Sequence, residues 1–311
     1  MKAIAKGVWP TMITPYTEEG KIDYAMVENL VEWYIERGVA GIFAVCQSSE
    51  MFFLSEEERV ELARFIVKQV NGRVGVIASG HVADDLEEQI RGIYKMAETG
   101  VENVVLLPNR FAKPDEGDDV MLKNLEYVLN KVDSVPFGFY ECPAPYKRLL
   151  SPDVVAYCAD TGRFSFLKDT CCDAEQVAEK IKAGRGIVGI YNANCAQLLM
   201  TLRAGAAGFS GVMANFHPEL YVWLCDNYET QPELAERVQN FLGLASCIEG
   251  RAYPVCAKKY IKDFHFPQMS DFSRSVNRAR LISSNKTELE QMHALYNELL
   301  PLWGIEFPFK V

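Results

Sequence analysis

Eight short apolar runs, each closed by polar, glycine or proline residues, restrict this 311-residue chain more than any other feature. They are Gly7–Thr14, Gly41–Cys46, Val74–Ser79, Val101–Pro108, Pro136–Tyr140, Phe164–Lys168, Gly186–Tyr191 and Gly208–Ala214. Each is too short for a buried helix and rich in Val, Ile or Phe, so each reads as a strand. The segments between them carry helical spacing. Asp23 precedes Met26, Leu30, Val31, Tyr34 and Ile35; Ser55 and Glu58 form a capping-box pattern ahead of Val60, Leu62, Phe65, Ile66 and Val67. Ser151-Pro152-Asp153 starts another helix with proline in its first turn, and Asp173 another ahead of Val177 and Ile181.

Strands alternating with helices are βα units, and eight of them fill about 225 residues, the size of a (β/α)8 barrel. An open doubly wound sheet would carry a glycine-rich phosphate turn after its first strand, where this chain has Thr14-Pro15-Tyr16-Thr17. The expected fold is therefore an α/β TIM barrel over residues 1–228. A helical extension over residues 229–311 follows, with helices at Leu234–Ile248, Tyr253–Ile261 and Thr287–Leu300 around an irregular Phe264–Ser275 stretch. The extension is expected to pack on the barrel or build subunit contacts.

A net charge of -10 without a Lys/Arg cluster argues against a nucleic-acid partner. No apolar run is long enough to span a membrane, and the first residues hold no signal-peptide core. Nine cysteines at irregular spacing point to a reducing cytoplasm rather than a disulfide framework. The four histidines, His81, His217, His265 and His293, show no ligand spacing, so no metal is expected.

Active-site groups of such a barrel come from the C-terminal strand ends. Those positions hold Thr11, Thr14, Gln47, Ser48, Glu50, Ser79, Asn109, Tyr140, Glu141, Lys168, Asp169, Asn192, Asn194 and Ser210. Two stand out. Lys168 closes the run Phe164-Ser-Phe-Leu, where lost solvation lowers an amine's pKa and frees it to attack a carbonyl. Tyr140 closes the preceding strand, and its hydroxyl can move protons. The pattern alone leaves open that Lys168 reaches solvent or pairs with Asp169, and that Tyr140 is simply core.

Together, Lys168 in Phe166-Leu-Lys-Asp-Thr170, Tyr140 before Pro143, the polar Gln47-Ser-Ser-Glu50 loop, and the Gly205–Asn215 stretch resemble the dihydrodipicolinate synthase/N-acetylneuraminate lyase family of class I aldolases. The resemblance spans about Gly7 to Tyr260. It implies a (β/α)8 barrel with a C-terminal helical extension, a homotetramer or homodimer, and a Schiff base between Lys168 and pyruvate or another 2-keto acid. No cofactor is implied, because the protonated imine is itself the electron sink. Tyr140 would relay protons, and the backbone N–H groups of Ser48 and Ser49 with the Ser48 hydroxyl would hold the carboxylate.

The chain departs from that family at several points. Cys46-Gln-Ser-Ser-Glu50 stands where Gly-Thr/Ser-Thr-Gly-Glu is usual, so Gln47 puts an amide in place of a relay hydroxyl and both glycines are gone. Glu50 matches a family acid expected to be structural. Pro145 replaces an arginine of the synthases, with Lys147 and Arg148 nearby, and Asn109-Arg110 replaces a tyrosine pair, one ring of which enters the neighbouring subunit. After the seventh strand, Asn192 and Asn194 offer amides where sialate lyases carry acids.

These departures favour a Schiff-base aldolase or dehydratase acting on pyruvate or a 2-keto-3-deoxy sugar acid, with Lys168, Tyr140 and Ser48 catalytic. Gln47, Ser49, Arg110, Asn192, Asn194 and Ser210 are the candidate substrate contacts. The alternatives are dihydrodipicolinate synthase itself and a catalytically silent keto-acid-binding barrel.

Overall fold

The computed structural model describes residues 4–309; the outermost residues of both expected units lie outside this range. The strands are β1 (Gly7–Val8), β2 (Gly41–Phe43), β3 (Gly75–Ala78), β4 (Asn103–Leu106), β5 (Phe137–Tyr140), β6 (Phe164–Asp169), β7 (Gly189–Asn192) and β8 (Gly208–Phe209). All pair in parallel in the order β1-β8-β7-β6-β5-β4-β3-β2. The remaining seam is irregular because Pro10 has no N–H to offer a ladder. It closes through a Thr11–Phe43 bridge, with Phe43 N donating to Pro10 O at 3.0 Å and Met12 N to Phe43 O at 3.1 Å. The expected (β/α)8 barrel is the observed fold.

The strands are shorter than the apolar runs, since apolarity reports burial and not pairing. The Gly186–Tyr191 run begins as the end of a helix: the N–H groups of Ile187 and Val188 both donate to Gly184 O, and strand pairing starts only at Gly189. The Gly208–Ala214 run leaves the sheet after Phe209 and turns into a short 3-10 segment at Val212–Asn215.

The barrel helices are α1 (Tyr24–Glu36), α2 (Glu56–Val70), α3 (Leu86–Ala97), α4 (Asp118–Lys131), α5 (Pro152–Thr161), α6 (Ala174–Gly184), α7 (Leu198–Arg203) and α8 (Pro218–Asn227). Asp23, Ser55, Ser151 and Asp173 cap α1, α2, α5 and α6 through their side chains, and Ser55 and Glu58 complete the reciprocal capping box. The extension holds α9 (Pro232–Ala245), α10 (Val255–Phe264) and α11 (Ser283–Trp303). Pro232 in the first turn starts α9 earlier than its apolar residues indicate, and Pro254 delays α10 to Val255. α11 begins before its apolar stripe, through the polar residues Ser283 to Lys286 that hydrophobic periodicity does not register, and continues past Leu300 to Trp303. One contiguous apolar core runs from the barrel into α9, α10 and α11.

Beneath the C-terminal mouth the barrel is filled by aromatic rings. Phe166 stacks on Tyr191 at 4.5 Å and meets Trp9 and Phe43 edge-on at 6.0 and 6.1 Å. A Cβ on Gly41 or Gly75 would fall 2.2 or 2.3 Å from the Trp9 ring, so the lack of a side chain there admits the indole. No helix among the described residues is long and apolar enough to cross a membrane.

Candidate active site

Register brings the two leading residues together: Tyr140 on β5 is the direct partner of Lys168 on β6. Lys168 is 3% exposed, and its Nζ lies 4.5 Å from the centroid of the Tyr140 ring. No carboxylate among the described residues forms an ion pair with it. Burial lowers its pKa from 10.5 to about 8, against the weaker opposing pull of nearby acidic groups including Glu249.

Asp169 does not neutralise Lys168, because successive side chains of a strand face opposite ways. Asp169 and Glu141 instead meet the ammonium of Lys180 on α6, which lies 2.6 Å from Glu141 Oε1 and 2.6 Å from Asp169 Oδ2 in a buried cluster. Burial, with the charge of Asp169, raises Glu141 to about 7 against the pull of Lys180. Glu141 also accepts from Leu150 N and Thr170 N, both at 2.8 Å. The residues that follow Tyr140 and Lys168 thus pin both strand ends from outside.

The Tyr140 hydroxyl donates to Gln47 Oε1 at 3.4 Å, and burial raises its pKa well above that of a free phenol. Ser48 Oγ donates to Thr11 Oγ1 at 3.1 Å, and the Ser48 N–H has no partner among the described residues. Ser49 faces away from the mouth. Its N–H donates to Cys46 O at 3.1 Å, and its hydroxyl contacts Met12 O, Ala44 O and Cys46 N within 2.9 Å. Glu50 lies in the left-handed region at φ 62°. It is held there by Lys258 Nζ at 2.6 Å, Ser273 Oγ at 2.8 Å and Ser275 N at 2.7 Å. Burial lowers Lys258 to about 8 despite that carboxylate.

A cavity of about 360 Å³ opens at this mouth. Gln47, Ser48, Tyr140 and Tyr253 give it a polar side; Phe52, Phe53, Val212 and Val276 supply apolar wall. Gln47, Ser48 and Tyr140 therefore meet at one cavity, with Lys168 packed against the Tyr140 ring.

The other expected contacts belong to the scaffold in this structure. Arg110 pairs with Asp84 at 2.5 Å and lies over the Phe52 ring. Asn192 donates to Thr201 Oγ1 at 3.0 Å and accepts from Asn194 N at 2.7 Å, while Asn194 accepts from Gln197 N to cap the following turn. Ser210 donates to Trp9 O at 2.9 Å. Nor do the cations flanking Pro145 turn inward: Arg148 binds Asp118, and Lys147 donates to Thr170 O. Asn109 brackets the loop after β5 by donating to the carbonyls of Cys142, Ala144 and Tyr146.

Tyr253 was not among the residues expected from sequence. It lies between two extension helices, and the only local signal, the Gly250-Arg-Ala-Tyr-Pro254 break, marks a turn without saying that it reaches the barrel. Among the described residues no cluster of His, Cys, Asp or Glu could hold a metal ion.

A buried amine with a depressed pKa, beside a phenol at the C-terminal mouth of a (β/α)8 barrel, defines a Schiff-base lyase of the class I aldolase type. A model of the Dihydrodipicolinate synthetase family matches residues 4–261, and the chain belongs to that family. It is 26% identical over 263 residues to the 4-hydroxy-tetrahydrodipicolinate synthase of Clostridium perfringens, covering 84% of this chain and 89% of that one. Its fold matches the dihydrodipicolinate synthase DapA-2 of Bacillus anthracis with a TM-score of 0.85 at 20% identity, covering 94% of this chain and 99% of that one. It likewise matches YagE of E. coli K12, a family member solved with pyruvate, with a TM-score of 0.81 at 22% identity over 94% of this chain and 99% of that one.

Proposed function

We propose that the protein forms an imine between Lys168 and pyruvate or a longer 2-keto acid, such as a 2-keto-3-deoxy sugar acid, and catalyses aldol cleavage or dehydration through it. The observation that carries this reading is the buried Lys168 amine, free of any carboxylate partner among the described residues, with a pKa near 8 beside Tyr140. The neutral amine adds to the keto carbon, and loss of water gives a protonated imine. Electrons from the broken C3–C4 bond, or from C3–H deprotonation ahead of loss of a C4 hydroxyl, then flow into that imine. In this reading Tyr140 exchanges a proton with the reacting oxygens and Ser48 offers its N–H and hydroxyl to the carboxylate, which their positions at the cavity support.

Borohydride reduction in the presence of pyruvate, followed by peptide mass spectrometry, tests the reading. An adduct on Lys168 is expected; no adduct with pyruvate or with any of a panel of 2-keto acids refutes it. A panel of sugar acids scored for pyruvate release then defines the reaction. Condensation of pyruvate with aspartate semialdehyde at an ordinary enzymatic rate would instead assign the activity named for the Clostridium relative. Assembly as a homotetramer or homodimer belongs to the same proposal, supported by family membership and tested by sedimentation. All nine cysteines are free thiols, which supports residence in a reducing compartment such as the cytoplasm.

A further inference from the structure

The polar side of the cavity contains a phenol that the mechanism above does not use. Tyr253 lines the cavity with Ser48 and Tyr140. Its hydroxyl oxygen accepts from Asn215 Nδ2 at 3.2 Å. Asn215 is fully buried and oriented from every side: its Nδ2 also donates to Thr11 O at 2.9 Å and Val212 O at 2.8 Å, and its Oδ1 accepts from Tyr34 at 2.5 Å. With Asn215 donating to its oxygen, Tyr253 retains its own O–H as a donor on the polar side of the cavity.

An ion pair ties the segment that carries Tyr253 to the loop that carries Ser48. Two residues after Ser48 stands Glu50, and five residues after Tyr253 stands Lys258; these two form the buried 2.6 Å ion pair that joins the β2 loop to α10. The clamp fixes the spacing of the Ser48 and Tyr253 hydroxyls within one chain.

We propose that Tyr253 is the third donor of a carboxylate subsite, with the N–H and hydroxyl of Ser48, and that it sets the preference of the site for 2-keto acids over carbonyl compounds lacking a carboxylate. This rests on the Schiff-base reading. The subsite needs a third donor because Ser49, the other donor of the loop, is turned into the scaffold. A carboxylate oxygen is a strong acceptor, so the Tyr253 O–H donates to it when the ligand enters. Burial holds the phenol protonated, and so a donor, throughout the neutral range.

The test measures cyanoborohydride labelling of Lys168 against probe concentration, with pyruvate and with hydroxyacetone, in the wild type and in Tyr253→Phe. Removing one hydrogen bond to a charged group is expected to raise the half-saturating pyruvate concentration about tenfold or more, with the maximal labelling rate unchanged. Labelling by hydroxyacetone should stay within about twofold of wild type, since only the carboxylate contact is lost. Ser48→Ala, which keeps the N–H, should show the same selective loss, and the double variant less than the product of the two. Equal weakening toward both probes, or unchanged pyruvate saturation, would overturn the assignment. A wild type that takes label from neither probe would refute the Schiff-base reading itself and remove the premise, so the two failures are distinct.

Discussion

A lysine kept ready for imine formation should cost the fold stability, and the cost is calculable. In the unfolded chain Lys168 takes up its proton below about 10.5; in the folded protein, only below about 8. Between these values the unfolded state holds more protons, so stability rises with pH across that window, and below about 8 the penalty is fully present. At about 1.36 kcal/mol per tenfold change in the constant, the gap is worth about 3 kcal/mol. Lys168→Met fills a similar volume above the aromatic floor without the buried charge. It forfeits the contact with the Tyr140 ring, worth about 1 kcal/mol, which leaves a net gain of about 2 kcal/mol at pH 6.5. Urea denaturation of the two proteins at pH 6.5 and pH 10 measures it. By pH 10 the buried-charge component should shrink below about 1 kcal/mol, because the native lysine is then neutral and the unfolded one partly so. A variant less stable than wild type at pH 6.5, or a gain that does not shrink at pH 10, would refute the view that Lys168 is a desolvated amine held at a cost.

The initial rate of pyruvate labelling should fall about tenfold for each pH unit well below 8, since only the neutral amine attacks; a flat profile between pH 5.5 and 7.5 would contradict the depressed pKa. Tyr140→Phe should still form the adduct but lose turnover by about a hundredfold or more, measured as pyruvate release from the best substrate of the panel. Lys258→Met strands the Glu50 carboxylate in the interior and should destabilise the protein by about 3 kcal/mol or more in urea denaturation, with Glu50→Gln added in the same chain recovering part of the loss.

What was legible in the sequence is what local chemistry writes there. The alternation of apolar runs and helical spacing specifies the barrel, and Asp23, Ser55, Ser151 and Asp173 mark four helix starts because a capping side chain acts on backbone within its own turn. The two-residue period of a strand separates Lys168 from Asp169 and Tyr140 from Glu141, and neighbouring strands supply the rest of that pairing. Polar residues in the loops past the strands carry no such periodicity. Asn192, Asn194, Ser210 and Ser49 read alike whether they bind a substrate or the surrounding scaffold, and only the fold reveals the hydroxyl, N–H and carbonyl groups they meet. Tyr253 was hidden for a different reason: nothing local brings residue 253 to residue 48, and the ion pair that does so joins positions 208 residues apart.

The same ion pair explains how Cys46-Gln-Ser-Ser-Glu50 makes its turn without a glycine. Neither Cys46 nor Ser49 adopts a positive φ; the left-handed residue is Glu50. A non-glycine residue there is strained, and it persists only when its surroundings over-determine it. Glu50 has that support in Lys258, Ser273 and the Ser275 N–H. Ser49 contributes the second half, since its hydroxyl ties the loop to Ala44 O and Met12 O in a way that a glycine could not. With the turn held from below by Ser49 and from the side by Glu50, the Ser48 N–H is left without a partner among the described residues rather than being drawn into the turn. The extension therefore does more than cover the barrel: through Lys258 it fixes the strained turn, and through Tyr253 it adds a polar group to the pocket that this turn creates.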